Sequence, residues 1–319
     1  MRPVRTAFAG ALLGTVMLAG CGQTGATPSS APASSAPAPA SSSATDAAFP
    51  AKVQAANGEV TIPKRPERIV SISPTATESL FAIGAGPQVV AVDALSNHPA
   101  EAPKTDLSGF KPNVEAIIAH QPDLVIASDD KVAAELAKVN VPVLVEPAAT
   151  KIDDAYDEIT DLGLATGNKA KADEVVAGMK SAMEKLAAQA PDGKKLTYYH
   201  ELDTTPYAAT SNTFIGQIYS MFGLVNVADQ APDAAGGYPK LSAEFVAQAD
   251  PDLIFLADVK CCKQSRETLA ARPGWKELKA VKNDGVVQLD DDIASRWGPR
   301  IVDLATTIGQ AVQKASGGR

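Results

Sequence analysis

Four short apolar runs, RIVSIS (68–73), QVVAVD (88–93), DLVIAS (123–128) and VPVLVE (141–146), alternate with stretches of helical character, PTATESLFAI, VEAIIAH and KVAAELAKV. Each run is brief, rich in β-branched residues and nearly free of polar positions, the pattern of a strand covered on both faces. Strands that alternate with helices in this way form a mostly parallel sheet flanked by helices, an α/β fold. Ser73 is placed to cap the first helix, with Pro74 at its first position, and Gly84 and Gly86 close it.

The alternation then pauses. In KADEVVAGMKSAMEKLAAQA (171–190), Val176, Met179, Met183 and Leu186 fall three or four apart, which predicts one apolar stripe on a long helix. Ala-Pro-Asp-Gly at 190–193 ends it, and the alternation restarts with KLTYYHEL, a helical TFIGQIYSMFG, a strand VVQLD and a closing helix from about Pro299 to Lys314. The predicted plan is an N-terminal α/β lobe over 58–167, an interlobe helix over 168–190 and a C-terminal α/β lobe over 191–319. A chain of 319 residues is long enough for two such cores.

The first twenty residues are not part of that plan. Arg2 and Arg5 precede AFAGALLGTVMLAG, too short to span a bilayer but suited to the apolar region of a secretory signal. It ends in LAGC and is similar to the bacterial lipoprotein signal, which implies cleavage after residue 20 and lipidation of Cys21. Residues 21–57 are dominated by Ala, Ser and Pro, a composition with little to bury, and read as a disordered tether. The net charge of −8, with 29 Lys and Arg and no basic run, excludes the phosphate-neutralising patch that a nucleic-acid partner requires.

One phrase occurs twice. NVEAIIAHQPDLVIA (113–127) and SAEFVAQADPDLIFLA (242–257) each carry a capping residue, Asn113 or Ser242, two places before a glutamate, Glu115 or Glu244, with Pro-Asp-Leu following. The caps put both glutamates in a first helical turn at the surface. A glutamate there also favours the helix dipole by about 0.3 to 1 kcal/mol, a sufficient reason for either one alone.

Through RIVSISPTATESLFAIGAG, PNVEAIIAHQPDLVIA, YPKLSAEFVAQADPDLIFLA and RPGWKELKAVKNDGVVQLDDDIASRWGPR, the chain resembles the binding proteins of metal-chelate ABC importers, nearest to their vitamin B12-binding branch. The resemblance runs from about Pro66 to the C-terminus. It implies the class III periplasmic-binding fold, two lobes joined by one long rigid helix with ligand in the cleft between them. It implies that Glu115 and Glu244 dock on arginines of an ABC permease dimer served by a cytoplasmic ATPase. It implies a ligand that is a metal chelate, a corrinoid or a ferric siderophore, and no resident cofactor. Tyr238 matches an aromatic that stacks on ligand and Asp292 an acidic ligand contact, while Arg296 and Trp297 share the loop of Asp292. Phe110 neighbours a second family aromatic whose own position is Gly109 here, and Tyr207 is a further candidate. The whole is expected outside the cell, a monomer held to the membrane through Cys21, with no enzymatic activity.

Arg300 begins a helix, where a positive charge is unfavourable, so an anionic partner is expected: a ligand or a carboxylate such as Asp292. Asp290 to Asp292 favour a neutral or cationic chelate unless Arg296 and Arg300 outweigh them. Cys261 and Cys262 are adjacent; they either close into a ring at the cleft rim or remain two thiols. The rival reading is a zinc- or manganese-ion binder, which calls for converging imidazoles, and the chain has only His98, His120 and His200. An enzyme is the other rival, but GxSxG, Walker, GxGxxG and HExxH signatures are missing.

Overall fold

A computed structural model of the chain describes residues 48–191 and 195–317. The signal peptide, Cys21 and most of the tether lie outside these residues.

An antiparallel hairpin comes first, β1 (Ala51–Ala55) and β2 (Gly58–Ile62). Its first strand falls inside the stretch 21–57 assigned by composition to the tether, and that boundary is corrected here. Val53, Val60 and Ile62 are buried and alternate with polar neighbours, the pattern of a strand with one covered face.

The first parallel sheet contains β3 (Ile69–Ser71), β4 (Val89–Val92), β5 (Leu124–Ala127) and β6 (Val143–Val145), in the order β4-β3-β5-β6. Helices α1 (Pro74–Ala82), α2 (Val114–Ala119) and α3 (Ala133–Ala137) lie between its strands. The hairpin turn docks on the sheet's edge: Asn57 Nδ2 donates to Val143 O at 2.9 Å, and the Ala56 amide to Val145 O at 3.1 Å.

Two helices follow, α4 (Ile152–Thr166) and α5 (Lys169–Ala187), joined at Gly167 in the left-handed conformation. They approach so closely that a Cβ on Gly163 would strike Ala172. The expected stripe is present on α5, with Val176, Met179 and Met183 buried and Leu186 half-buried. At 1.5 Å per residue this helix is about 28 Å long.

The second sheet contains β7 (Thr197–Glu201), β8 (Val225–Asn226), β9 (Leu253–Leu256) and β10 (Val286–Gln288), also all parallel. Around it lie α6 (Phe214–Ser220), α7 (Ala243–Ala249), α8 (Val259–Cys262), α9 (Arg266–Ala270), α10 (Lys279–Lys282), α11 (Asp291–Ala294) and α12 (Ile301–Ala315). Its order β8-β7-β9-β10 repeats that of the first sheet, strand for strand. The lobes therefore share one topology.

The core is partly common to both. Leu80 of α1, Ile159 of α4, Met179 and Met183 of α5, Ile218 of α6 and Leu304 and Ile308 of α12 belong to one buried cluster. Each sheet also has a separate outer cluster, around Ile117 and Val125 in the first and around Val246 and Trp275 in the second.

Candidate functional site

Chain segments leaving the C-terminal ends of the two sheets meet each other. Arg296, beyond β10, donates to Leu95 O at 2.9 Å and Asn97 Oδ1 at 3.0 Å, both just beyond β4. Gln217 on α6, after β7, donates to Thr150 O at 2.9 Å, after β6. Ligands of open parallel sheets bind outside these carboxyl ends, so the interlobe boundary is the candidate cleft.

The contact centres on Glu78, a side chain buried on α1. Arg296 Nη1 donates to its Oε1 at 2.7 Å, and Arg300 to both of its oxygens, through Nε at 2.8 Å and through Nη2. Arg300 thus has the carboxylate partner its helix position requires, but that partner is Glu78 and not Asp292. Arg296 is only 9 % exposed, and both of its terminal nitrogens are taken up by protein groups, Asp292 Oδ1 at 2.9 Å among them. Its place is in the interlobe contact, not on an open cleft wall. Trp297 is half-buried and donates from Nε1 to Glu158 Oε2 of α4 at 2.7 Å.

Asp292 is the hub on the other side. It accepts from Asn97 at 3.0 Å, from Lys260 at 2.7 Å and from Arg296. Burial opposes its charge, yet hydrogen bonds from Lys260 and Asn97 and the charges of Arg296 and Lys260 hold its carboxyl below the usual range. Lys260 also reaches Asp290 at 2.8 Å, while Asp291 accepts the backbone N–H groups of Lys260 and Cys261 at 2.9 Å. Lys260, Arg296 and the backbone N–H groups thus offset part of the charge of the three aspartates, while Arg296 and Arg300 are also engaged by Glu78.

The aromatic candidates stand apart from this network. Segments 206–210 and 237–241 run antiparallel beyond β7, pairing Tyr207 with Lys240, and put Tyr207 and Tyr238 on one ribbon. The two tyrosines are 39 % and 44 % exposed. Phe110 is 76 % exposed, in the loop between β4 and α2. Gly109 beside it lies against the end of β3, where a Cβ would sit 2.5 Å from Ile72 O, so an aromatic at 109 has no room and Phe110 is the ring this loop offers. Trp275, by contrast, is fully buried, with Nε1 donating to Ala243 O at 3.2 Å.

The doubled phrase is doubled in space. Asn113 caps α2 by accepting from Ala116 N, and Ser242 caps α7 by accepting from Phe245 N, each at 3.0 Å. Glu115 and Glu244 are both second residues of their helices and both exposed, with no ion pair among the described residues. Each helix leads into the third strand of its sheet. The Asp of each Pro-Asp-Leu accepts from the backbone at the neighbouring strand's start, Asp123 from Arg68 N at 2.9 Å and Asp252 from Thr197 N at 3.0 Å. The repeat thus positions a glutamate at one end and locks two strands together at the other.

Cys261 and Cys262 are joined as a disulfide at the end of α8. Glu78, Asn97 and Lys260 are the site residues that sequence reasoning missed. Glu78 carried a signal: it is the one charge in the nine-residue α1, and a buried charge needs a partner. Among the described residues no group of three His, Cys, Asp or Glu is gathered to hold a metal ion. His200 lies in the core with Nδ1 2.8 Å from the Tyr219 hydroxyl, and burial lowers its pKa to about 4.

Two recesses differ in their relation to the contact. One of about 210 Å³ lies between the lobes, lined by Glu78, Phe81, His98, Glu101 and Arg300. The larger, about 770 Å³, is at the opposite edge of the second sheet and touches none of the candidate residues. Phe110, Tyr207 and Tyr238 are the exposed rings among the candidate residues, in loops that follow strands of the two sheets.

Comparison with known proteins gives concordant results. The periplasmic binding protein family matches residues 69–293. An uncharacterized ABC transporter substrate-binding lipoprotein of Bacillus subtilis, YvrC, is 30 % identical over 96 % of each chain. A cobalamin-binding protein of Halobacterium salinarum is 30 % identical, over 81 % of this chain and 72 % of that protein. The crystal structure of a possible iron-binding, periplasmic solute-binding protein of Staphylococcus epidermidis superposes with a TM-score of 0.68 at 27 % identity, covering 78 % of this chain and 99 % of that one. With its two topologically equal lobes and facing strand ends, the chain belongs to the periplasmic binding protein family.

Proposed function

We propose that this protein is the substrate-binding component of an ABC importer, that it captures a metal chelate at the facing edges of its lobes, and that it delivers it to a permease dimer. The observation that carries the reading is the pair of exposed glutamates, Glu115 and Glu244, each in a side-chain-capped first turn at equivalent places in the two lobes. A permease built from two copies of one subunit offers two equal cationic sockets, and a single-chain partner fits both only if it repeats its acidic contact. One relative is named a cobalamin-binding protein and one solved structure a possible iron-binding protein, which supports a chelate ligand, and Phe110, Tyr207 and Tyr238 offer exposed rings to it. The N-terminal segment ending at Cys21 supports extracytoplasmic attachment by a lipid anchor, with the mature protein acting as a monomer.

Thermal unfolding in the presence of cobalamin, cobinamide, haem, and ferric hydroxamate, catecholate and citrate complexes tests the reading. A binder gains stability as RT ln(1 + [L]/Kd), so at least one chelate raises the unfolding temperature in a saturable way. A flat response to all six, with zinc or manganese giving a saturable shift instead, overturns it.

A further inference from the structure

The Cys261–Cys262 disulfide occupies the last two residues of α8, which leaves β9 at the C-terminal edge of the second sheet. Their Cα atoms are 3.8 Å apart, the spacing of a trans peptide. Cys261 is exposed and Cys262 half-buried, so Cys261 is the member of the pair on the solvent side.

The turn that holds this pair is wired at both ends. Upstream, the Lys260 and Cys261 amides donate to the Asp291 carboxylate, and the Lys260 ammonium bridges Asp290 and Asp292. Asp292 in turn accepts from Asn97 and Arg296, which cross between the lobes. Downstream, Cys262 O accepts from Gln264 Nε2 at 3.1 Å, and Gln264 Oε1 accepts from Arg272 at 2.7 Å. The Arg272 fork holds the fully buried Glu201 with two bonds of 2.6 Å. Neither sulfur takes part in these bonds. What they depend on is where the backbone of residues 260–262 lies.

We infer that the Cys261–Cys262 disulfide is a redox latch on the interlobe contact. Closed, it fixes the Lys260 and Cys261 amides against Asp291 and so seats Asp292 beneath Asn97 and Arg296. Opened, it returns torsional freedom to the turn and loosens both networks. The reductant is a dithiol. Its thiolate attacks Cys261 Sγ, the S–S bond breaks, and Cys262 leaves as a thiolate that takes up a proton. The second thiol of the reductant then attacks the mixed disulfide and releases Cys261 as a thiol. Two electrons and two protons pass to the protein, and the reductant ends as a disulfide. That this latch acts on ligand retention rests on the proposed cleft; its action on the contact does not.

Peptide mapping after alkylation, on protein isolated without reductant, is expected to find Cys261 and Cys262 blocked, and both alkylated after treatment with dithiothreitol. Amide hydrogen exchange on the ligand-free protein is then compared in the two states. Reduction is expected to speed exchange about tenfold in 259–264 and 289–297 while leaving β5 unchanged. The Cys261→Ser, Cys262→Ser double variant is expected to match the reduced protein and to ignore dithiothreitol. Two alkylatable thiols at the outset, or equal exchange in both redox states, overturns the inference. Weaker binding of a chelate by the reduced protein supports the ligand arm, and unchanged binding overturns that arm. If no chelate binds at all, the proposed function fails while the exchange measurement still decides the latch.

Discussion

Arg296 and Glu78 are 218 residues apart in sequence and 2.7 Å apart in space, and their side chains, 8 % and 2 % exposed, form the buried centre of the contact between the lobes. Burial makes the pair consequential in one direction. Taking two charges out of water is costly, so the pair adds little over an apolar substitute, but removing one member strands the other.

Glu78→Leu is therefore expected to be among the most destabilising single changes in the protein, because it leaves Arg296 and Arg300 without their shared carboxylate. A loss of about 3 to 5 kcal/mol is expected, read as a lower urea midpoint at unchanged slope. A midpoint within error of the parent protein would show that the contact is not buried in solution.

The two lobes are expected to move little against each other on binding. The lobes share a core through α4, α5 and α12, and Arg296, Trp297 and Gln217 already bridge them. Small-angle scattering with and without a saturating chelate is expected to give the same radius of gyration. A decrease of several ångströms would mean that these bridges break and re-form as a hinge closes.

The exposed rings separate affinity from stability. Phe110→Ala and Tyr238→Ala truncate residues that are 76 % and 44 % exposed, so unfolding free energies are expected to stay within about 0.5 kcal/mol of the parent. Chelate affinity is expected to fall about tenfold in each, the scale of one lost stacking contact. Calorimetric titration showing unchanged affinity in both variants would remove these rings from the site.

Stability is expected to decline as pH rises from neutral toward 9. Burial, with the charges of Glu158 and Asp161, raises the Glu146 carboxyl from 4.5 to about 9. Burial likewise raises Glu158 to about 8, with Asp154 and Asp161 adding and the Trp297 hydrogen bond opposing. An acid raised in the folded state keeps its proton where the unfolded chain has lost it, so folding is favoured less as pH climbs toward the folded value. His200, lowered to about 4, acts in the opposite sense only below its unfolded value near 6.5 and leaves the alkaline window clear. Glu146→Gln is expected to flatten the fall between pH 7 and 9 and to exceed the parent in urea midpoint at pH 9. Parallel pH profiles would contradict this.

How much the sequence discloses depends on whether the signal is local. The strands at Leu124–Ala127 and Leu253–Leu256 are legible because each is an unbroken apolar run, and that at Ile69–Ser71 because only Ser71 interrupts one, the mark of burial on both faces. The hairpin at Ala51–Ile62 is not, because its alternation sits at the end of an Ala/Ser/Pro-rich stretch that dominates composition, although Asn57-Gly58 marks its turn. Helix α4 is likewise obscured: Asp153, Asp154, Asp157, Glu158 and Asp161 crowd a segment whose Ala155, Tyr156, Ile159 and Leu162 form the buried stripe. The caps at Asn113 and Ser242 are legible from three residues of context. The partners of Arg296 and Arg300 are not, since nothing near either arginine points to a glutamate in the first helix of the other lobe.

The most direct measurement is uptake of the identified chelate by cells whose only copy of this protein carries Glu115→Arg and Glu244→Arg together. Both side chains are exposed and free of ion pairs among the described residues, so the double variant is expected to fold and to bind chelate with the parent's affinity. Uptake is expected to be lost, with either single reversal falling between. Undiminished uptake by the double variant, at equal protein level, would contradict docking through the paired glutamates.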